Sequence, residues 1–324
     1  MHRVDKQDPI LTMWTALDKL LGSNNLSGNR TMLSSISTRP LALVALLTVL
    51  TSLALPDSSF AGGHNKAPKT KKPVQLDPTL RSDITGTVLI TGANRGIGLQ
   101  LATNYAKRGW TVIATARKPK KADDLNALAK AHENVSVEYM DLLDHKGIDK
   151  LANKLKDIPI DVLLNNAAML GDPAEQDFGT LDYKLMQQIY AVNTVGTMKM
   201  SEAFFEHVAA SEQKKIVAIT SLQASIGAMR EPLIPFYKMS KTALNMGMKS
   251  TSKRVKRKKV TVALISPGAV DTRMMNSALD HAGVKGNFLI TPQESAEAVI
   301  NIIDQYNLKM TGTFMSHRGD VIPW

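Results

Sequence analysis

The segment Thr91-Gly92-Ala93-Asn94-Arg95-Gly96-Ile97-Gly98 constrains what this chain can fold into more than any other. It follows directly on a short β-branched run, Thr87–Thr91, and opens an amphipathic stretch carrying Leu99, Leu101, Ala102 and Tyr105. A strand that turns through glycines into a helix lets backbone approach a ligand closely, and the helix N-terminus supplies N–H donors for an anion. Gly92, Asn94, Arg95, Gly96, Ile97 and Gly98 are therefore candidates for holding a dinucleotide pyrophosphate. The spacing is G-x-x-x-G-x-G rather than G-x-G-x-x-G, and taken alone such a turn also serves as plain structure.

From Gly86 onward, further short apolar runs alternate with helix-length segments: Thr111–Thr115, Val135–Met140, Asp161–Leu164, Ile216–Thr220, Val260–Ile265 and Thr313–Met315. Nearly continuous apolar strands separated by helices read as a parallel sheet buried on both faces. No internal repeat points to a solenoid. The expectation is one doubly wound α/β domain over residues 86–324 with about seven strands.

Cysteine is absent, so disulfides, thiolate metal sites and cysteine nucleophiles are excluded, and no metal site is expected. Chemistry must come from hydroxyls, amines, imidazoles or carboxylates. The net charge of +11 raises the question of nucleic-acid binding. Much of it sits in two runs: Lys249, Lys253, Arg254, Lys256, Arg257, Lys258 and Lys259 near a predicted helix end, and Lys66, Lys69, Lys71 and Lys72 in a linker. Neither run is interleaved with aromatic residues for base stacking, so solvated surface is the preferred reading and no nucleic-acid partner is expected.

Residues 1–85 form an N-terminal extension around one apolar run, Leu41–Leu55, of fifteen uncharged residues, which is short for a membrane span. Counted from Met32, with Arg39 as basic flank and Ser59-Phe60-Ala61 as a small-x-small site, the segment 32–61 resembles a secretory signal. On that reading residues 1–31 belong to an upstream start. An uncleaved anchor, or an apolar helix packed on the domain, fits the same residues. The cations at 66–72 resist translocation and favour the cytoplasmic side. Export or membrane tethering is ranked slightly ahead of a cytoplasmic location. Gly62–Thr79 reads as a flexible Pro/Lys-rich linker.

A site for NAD places a carboxylate about 20 residues beyond the glycines to accept from the ribose 2′-hydroxyl. Between Gly98 and Asp123 there is no Asp or Glu, and the second strand runs instead into Ala116-Arg117-Lys118. The planar fork of Arg117, with Lys118 and Arg95 nearby, suits a 2′-phosphate, so NADP(H) is preferred over NAD(H). Asp141, ending the third strand with Leu142 beside it, is placed to accept from the adenine amino group, although a strand-end aspartate also forms turns.

Tyr237 and Lys241 stand four residues apart in a helical segment and so share one face. A tyrosine of ordinary pKa near ~10 is a sluggish acid–base group at neutrality, and an ammonium beside it makes the phenolate more accessible. Such a pair also occurs by chance on exposed helices. Ser221 changes its weight: it follows the apolar run Ile216–Thr220, at the carboxyl end of a parallel strand where open α/β sheets bind ligands.

In order along the chain stand TGANRGIG at 91–98, NNAA at 165–168, VNTVG at 192–196, ITS ending at Ser221, YKMSK at 237–241 and PGAVDT at 267–272. Together these resemble the classical short-chain dehydrogenases/reductases, and the closing GTFMSHRGDVIPW is similar to the tail of the sniffer-type and C-factor-like carbonyl reductases. The resemblance implies a Rossmann-type sheet of order 3-2-1-4-5-6-7 and a catalytic tetrad of Asn193, Ser221, Tyr237 and Lys241. Tyr237 would give the proton, Ser221 orient the carbonyl, Lys241 lower the tyrosine pKa and hold the ribose, and Asn193 hold a water linking Lys241 to solvent. Asn165 and Ala167 would line the adenosine side, and Pro267, Val270 and Thr272 the nicotinamide side. A carbonyl substrate and a homodimer or homotetramer are implied as well. The alternative implied by the C-factor-like members is a cofactor-binding regulator in which turnover is secondary. The sixteen-residue step from Ser221 to Tyr237 is longer than usual in the family, and the extra residues, Met229–Pro235, are expected beside the substrate. A lid is expected over Arg273–Leu289, with Met274, Met275, Leu279 and Phe288 divided between core and ligand.

Overall fold

A computed structural model of the chain describes Leu76, Asp77 and residues 83–324. The apolar run 41–55 and the signal-like segment 32–61 lie outside the described residues. The seven strands are β1 (Thr87–Ile90), β2 (Thr111–Ala116), β3 (Val135–Tyr139), β4 (Val162–Asn165), β5 (Lys215–Ile219), β6 (Thr261–Ser266) and β7 (Phe314–Ser316). They form one sheet of order β3-β2-β1-β4-β5-β6-β7 in which every neighbouring pair is parallel. This is the Rossmann-type order expected, and each strand end falls within one residue of its expected place.

The period of two along each strand divides the core into two layers. Val88, Ile90, Val112 and Ala114 pack with Leu101, Tyr105, Leu125, Val299 and Ile303, so α1 (Gly96–Lys107), α2 (Asp123–Ala131) and α9 (Pro292–Gln305) cover one face. Leu89, Ile113, Leu163 and Ile216 pack with Ile148, Met200, Val208, Leu244 and Met248. These belong to α3 (His145–Lys154), α5 (Thr197–Ala203), α6 (Phe205–Ala210) and α7 (Pro235–Val255) on the other face. The remaining two helices, α4 (Tyr183–Tyr190) and α8 (Arg273–Ala282), follow the loops after β4 and β6. Each large aliphatic side chain buried this way contributes about 1.5–3 kcal/mol. Helix starts are set by side chains: Asp144 accepts from the Gly147 N–H at 2.8 Å, and Thr291 and Glu294 form a reciprocal capping box.

Two expectations about the chain outside this core are sharpened. The linker Gly62–Thr79 is not free throughout: Leu76 packs on the first core layer, and the Asp77 carbonyl accepts from Asn301 at 3.1 Å and Gln305 at 2.8 Å on α9. An apolar side chain with satisfied backbone beside it outweighs the composition that suggested flexibility. The basic run after Lys249 lies where α7 ends, with Lys253, Arg254 and Lys256–Lys259 exposed. Among the described residues no helix is long and apolar enough to cross a membrane.

The order places β1 and β4 side by side while their connections depart to opposite halves of the sheet. The crevice at such a switch point is where open α/β sheets bind ligands. The loops after β1, β4, β5 and β6 all open there.

Candidate active site

The glycine loop is braced from β4. The Thr91 hydroxyl accepts from the N–H groups of Asn166 and Ala167, both at 2.9 Å, and the Asn166 amide donates to the carbonyls of Thr91 at 2.9 Å and Gly92 at 3.1 Å. Close approach explains two of the glycines: a Cβ on Gly92 would stand 2.9 Å from that of Ala167, and one on Gly98 only 2.3 Å from the Gly92 carbonyl oxygen. Gly96 takes a left-handed φ of +54°, and the nearest atom to a Cβ there would be the Thr272 methyl at 3.5 Å. Arg95 precedes α1 in extended conformation without capping its N–H groups, so the helix offers unspent donors beside an open glycine. A cradle of this kind fits a dinucleotide's phosphates. Asn94 and Ile97 line the same turn, half-buried.

Arg95 and Arg117 are both exposed at this loop. The Arg95 guanidinium is held below its usual pKa by partial burial, and further by the charges of Arg273 and Arg117. Arg273 was not among the residues expected here; it opens α8, remote in sequence from the glycines. Asp141 acts as a turn former, its carboxylate accepting from the Leu143 N–H at 3.0 Å. Leu142 is buried against Gly196, where a Cβ would come within 2.6 Å of it. Asn165 is buried and donates to Ser201 at 3.2 Å. The Pro267 carbonyl accepts from Ser295 at 2.8 Å, Val270 is buried and bridges to Ile290, and the Thr272 hydroxyl caps α8. Thr272 thus places the loop after β6 beside the glycine loop, and Val270 ties it to Ile290.

Ser221 ends the β5 loop and caps a short 3-10 turn, accepting from the Gln223 N–H at 3.2 Å. Its hydroxyl lies against the phenol of Tyr237. Burial pushes the Tyr237 pKa up to about 12, and the hydrogen bond with Ser221 works against that rise. Lys241, one turn further along α7, is buried, and burial lowers its pKa to about 8. Its ammonium donates to the Ile219 carbonyl at 2.9 Å and stands 5.9 Å from the centre of the Tyr237 ring. The expectation that Lys241 depresses the tyrosine pKa is therefore modified: in this geometry Ser221 is the group that opposes burial.

Asn193 sits within a π-helical turn, Ala191–Gly196, a distortion that recurs at functional sites. Its side chain is fully buried: both amide protons are spent, on Met169 O at 2.8 Å and Ser240 Oγ at 3.0 Å, and Oδ1 accepts from Met169 N at 2.8 Å. Ser240 in turn donates to the Tyr237 carbonyl at 2.7 Å, and the Tyr237 N–H donates to Gln176 Oε1 at 3.2 Å. Ser240 and Gln176 thereby hold the turn of α7 that carries the tyrosine. Neither had a sequence signal beyond the presence of Ser240 inside YKMSK.

Several of the extra residues between Ser221 and Tyr237 face a groove beside α7. Met229, Glu231, Pro232 and Pro235 line a groove of about 510 Å³ together with Tyr190, Lys238, Met239, Thr242 and Met246. Positions 239, 242 and 246 lie on the flank of α7 turned away from 237 and 241, with 238 between the two. A buried ion pair, Lys238–Glu231 at 2.8 Å, pulls the segment to that flank. The lid methionines are half-buried rather than core: α8 has no buried residue, and Met274, Met275, Leu279 and Phe288 all remain partly accessible.

Residues 86–283 match the family described as short chain dehydrogenase. An uncharacterized oxidoreductase of Schizosaccharomyces pombe is 30% identical over 248 residues, spanning 73% of this chain and 96% of its own. This chain belongs to the short-chain dehydrogenase family.

Solved structures agree. The carbonyl reductase Sniffer of Drosophila melanogaster superposes with a TM-score of 0.66 at 25% identity, covering 74% of this dehydrogenase and 100% of the fly chain. The NADPH-bound carbonyl reductase from chicken fatty liver does so with a TM-score of 0.66 at 26% identity, covering 74% and 94%. The present short-chain dehydrogenase is thus an oxidoreductase by family.

Proposed function

We propose that this dehydrogenase reduces a carbonyl compound, an aldehyde or ketone, to an alcohol at the expense of NADPH. The observation that carries the reading is the meeting of Ser221, Tyr237 and Lys241 at the carboxyl end of β5, beside an arginine-bearing glycine loop. Gly92, Gly96 and the first N–H groups of α1 would hold the cofactor's phosphates, and Arg117 with Arg95 its 2′-phosphate. The reduced nicotinamide, when bound, supplies a hydride to the carbonyl carbon.

Tyr237 supplies the proton. With its pKa raised to about 12 the phenol keeps its hydrogen at neutral pH, as an acid poised beneath a developing alkoxide must. Ser221 donates to the same oxygen and fixes its approach. The phenolate left behind is stabilised by the Ser221 hydroxyl, whose single proton turns to it once the product oxygen is protonated, and the Lys241 ammonium, at a pKa of about 8, is mostly charged at neutrality and able to return a proton. Proton return from solvent runs through Lys241. The Asn193 side chain is fully engaged with Met169 and Ser240, so its part is to tie the π turn to the segment after β4 and to α7.

Use of NADPH is supported by Arg117 and Arg95, by the lack of a carboxylate between Gly98 and Asp123, and by the likeness to the NADPH-bound chicken enzyme. The proposal extends to a homo-oligomer and to tethering or export through residues 32–61. A screen of aldehydes, ketones and quinones with NADPH and NADH tests the reaction. At least one carbonyl compound should be turned over with NADPH preferred; absence of any carbonyl-dependent NADPH oxidation would overturn it and favour the regulatory reading.

A further inference from the structure

The sheet order separates the origins of the arginines around the glycine loop. Arg117 follows β2, on the β3-β2-β1 half, whereas Arg273 follows β6, on the β4-β5-β6 half. Both charges act on Arg95 between them. Arg273 is brought there by Thr272, whose methyl group lies 3.5 Å from where a Cβ on Gly96 would stand. Among the described residues none of the three arginines has a carboxylate partner. Like charges gathered without counter-charge repel, so the arrangement is suited to an anion from outside the chain.

A dinucleotide lies across the switch point with its two halves on opposite halves of the sheet and its diphosphate over the first glycine turn. Arg117 therefore stands at the adenosine end, while Arg273 reaches the glycine turn from the nicotinamide side. We propose that Arg273 is a ligand of the cofactor's diphosphate and ties helix α8 to the bound dinucleotide. This rests on the reading of the site as a nicotinamide-dinucleotide site. The helix it opens is poorly anchored otherwise: no residue of α8 is buried, and its far end is held by an exposed His281–Asp177 contact at 3.1 Å. A phosphate contact at its first residue would order the mouth of the substrate site.

The test is titration of the full chain with NADPH and with NADH, followed by fluorescence or calorimetry, for wild type, Arg273→Gln, Arg273→Lys and Arg117→Ser. The diphosphate is common to both cofactors. Arg273→Gln should therefore weaken both on the order of tenfold with their ratio unchanged, as expected for loss of a charge-assisted contact. Arg273→Lys should recover part of the loss, and Arg117→Ser should erode only the preference for NADPH. Hydrogen exchange should show the α8 amides protected by NADH in wild type and not in Arg273→Gln. Unchanged affinity for both cofactors, or a loss confined to NADPH, would overturn the Arg273 assignment alone. A wild type that binds neither dinucleotide would overturn the cofactor reading and this assignment with it.

Discussion

The Lys241 ammonium donates to the main-chain carbonyl of Ile219 at 2.9 Å, joining α7 to the last residue of β5 two positions before Ser221. With the Thr220 hydroxyl donating to Asn245 at 2.7 Å and the Thr242 hydroxyl to the Ala224 carbonyl at 2.9 Å, that contact sets the distance between the strand end that presents the serine and the helix that presents the tyrosine. It also holds a charged amine in a buried place, which is why its pKa falls to about 8.

The first expected outcome is a pH dependence. Because burial lowers the Lys241 pKa, the ammonium is lost above about pH 8, while Tyr237 at about 12 remains protonated over the same range. The kcat/KM for carbonyl reduction should be level below about pH 8 and fall above it, roughly tenfold per unit. Lys241→Arg stays charged and should remove that limb even if its rate is lower. A wild-type profile level up to about pH 10 would assign the lysine another role.

Arg117→Asp should exchange a phosphate ligand for a ribose-hydroxyl acceptor. The NADPH:NADH ratio of kcat/KM should drop by about 10- to 100-fold, the change expected when a charge-assisted contact is replaced by repulsion. An unaltered ratio would make Arg117 an ordinary surface cation.

Asn166→Ala removes the two side-chain hydrogen bonds that fasten the glycine loop to the end of β4, leaving the Thr91 and Gly92 carbonyls short of a donor, while the main-chain bond to the Thr91 hydroxyl survives. A stability loss of about 1–3 kcal/mol is expected, together with weaker binding of both cofactors. Chemical denaturation and cofactor titration measure the two effects separately, and no change in either would show that the loop holds itself.

Gly98→Ala puts a methyl group 2.3 Å from the Gly92 carbonyl oxygen and 2.5 Å from the Asn166 amide, both of them fixed. Overpacking of this kind costs about 1–3 kcal/mol and should distort the phosphate turn. Thermal melting with and without NADPH should show a lowered Tm and a reduced shift on cofactor addition. A variant with the wild-type Tm and shift would mean that the loop has room the structure denies it.

The central strands were legible because they are apolar runs such as Val260–Ile265, buried on both faces and so free of polar alternation, whereas β3 at the sheet edge is VSVEY and only partly buried. The pairing of Tyr237 with Lys241 beside Ser221 was legible through fixed local spacing and order along the chain. What stayed hidden depends on partners far apart in sequence: Asn166 meets Thr91 across 75 positions, and Asn193 meets Ser240 across 47. The packing of Leu76 and Asp77 on α9 joins residues more than 200 positions apart, as with Asp77 and Gln305, separated by 228. Local composition carries no trace of such contacts. The placing of Met229, Glu231, Pro232 and Pro235 along the groove beside α7 was likewise invisible, because it follows from the pairing of Glu231 with Lys238 on that helix.

The most direct measurement compares wild type with Tyr237→Phe in carbonyl-dependent oxidation of NADPH, with cofactor affinity measured in parallel. Loss of the only hydroxyl assigned to proton delivery should lower kcat by at least about 100-fold while NADPH still binds. Turnover by Tyr237→Phe at the wild-type rate would contradict the assignment of Tyr237 as the acid.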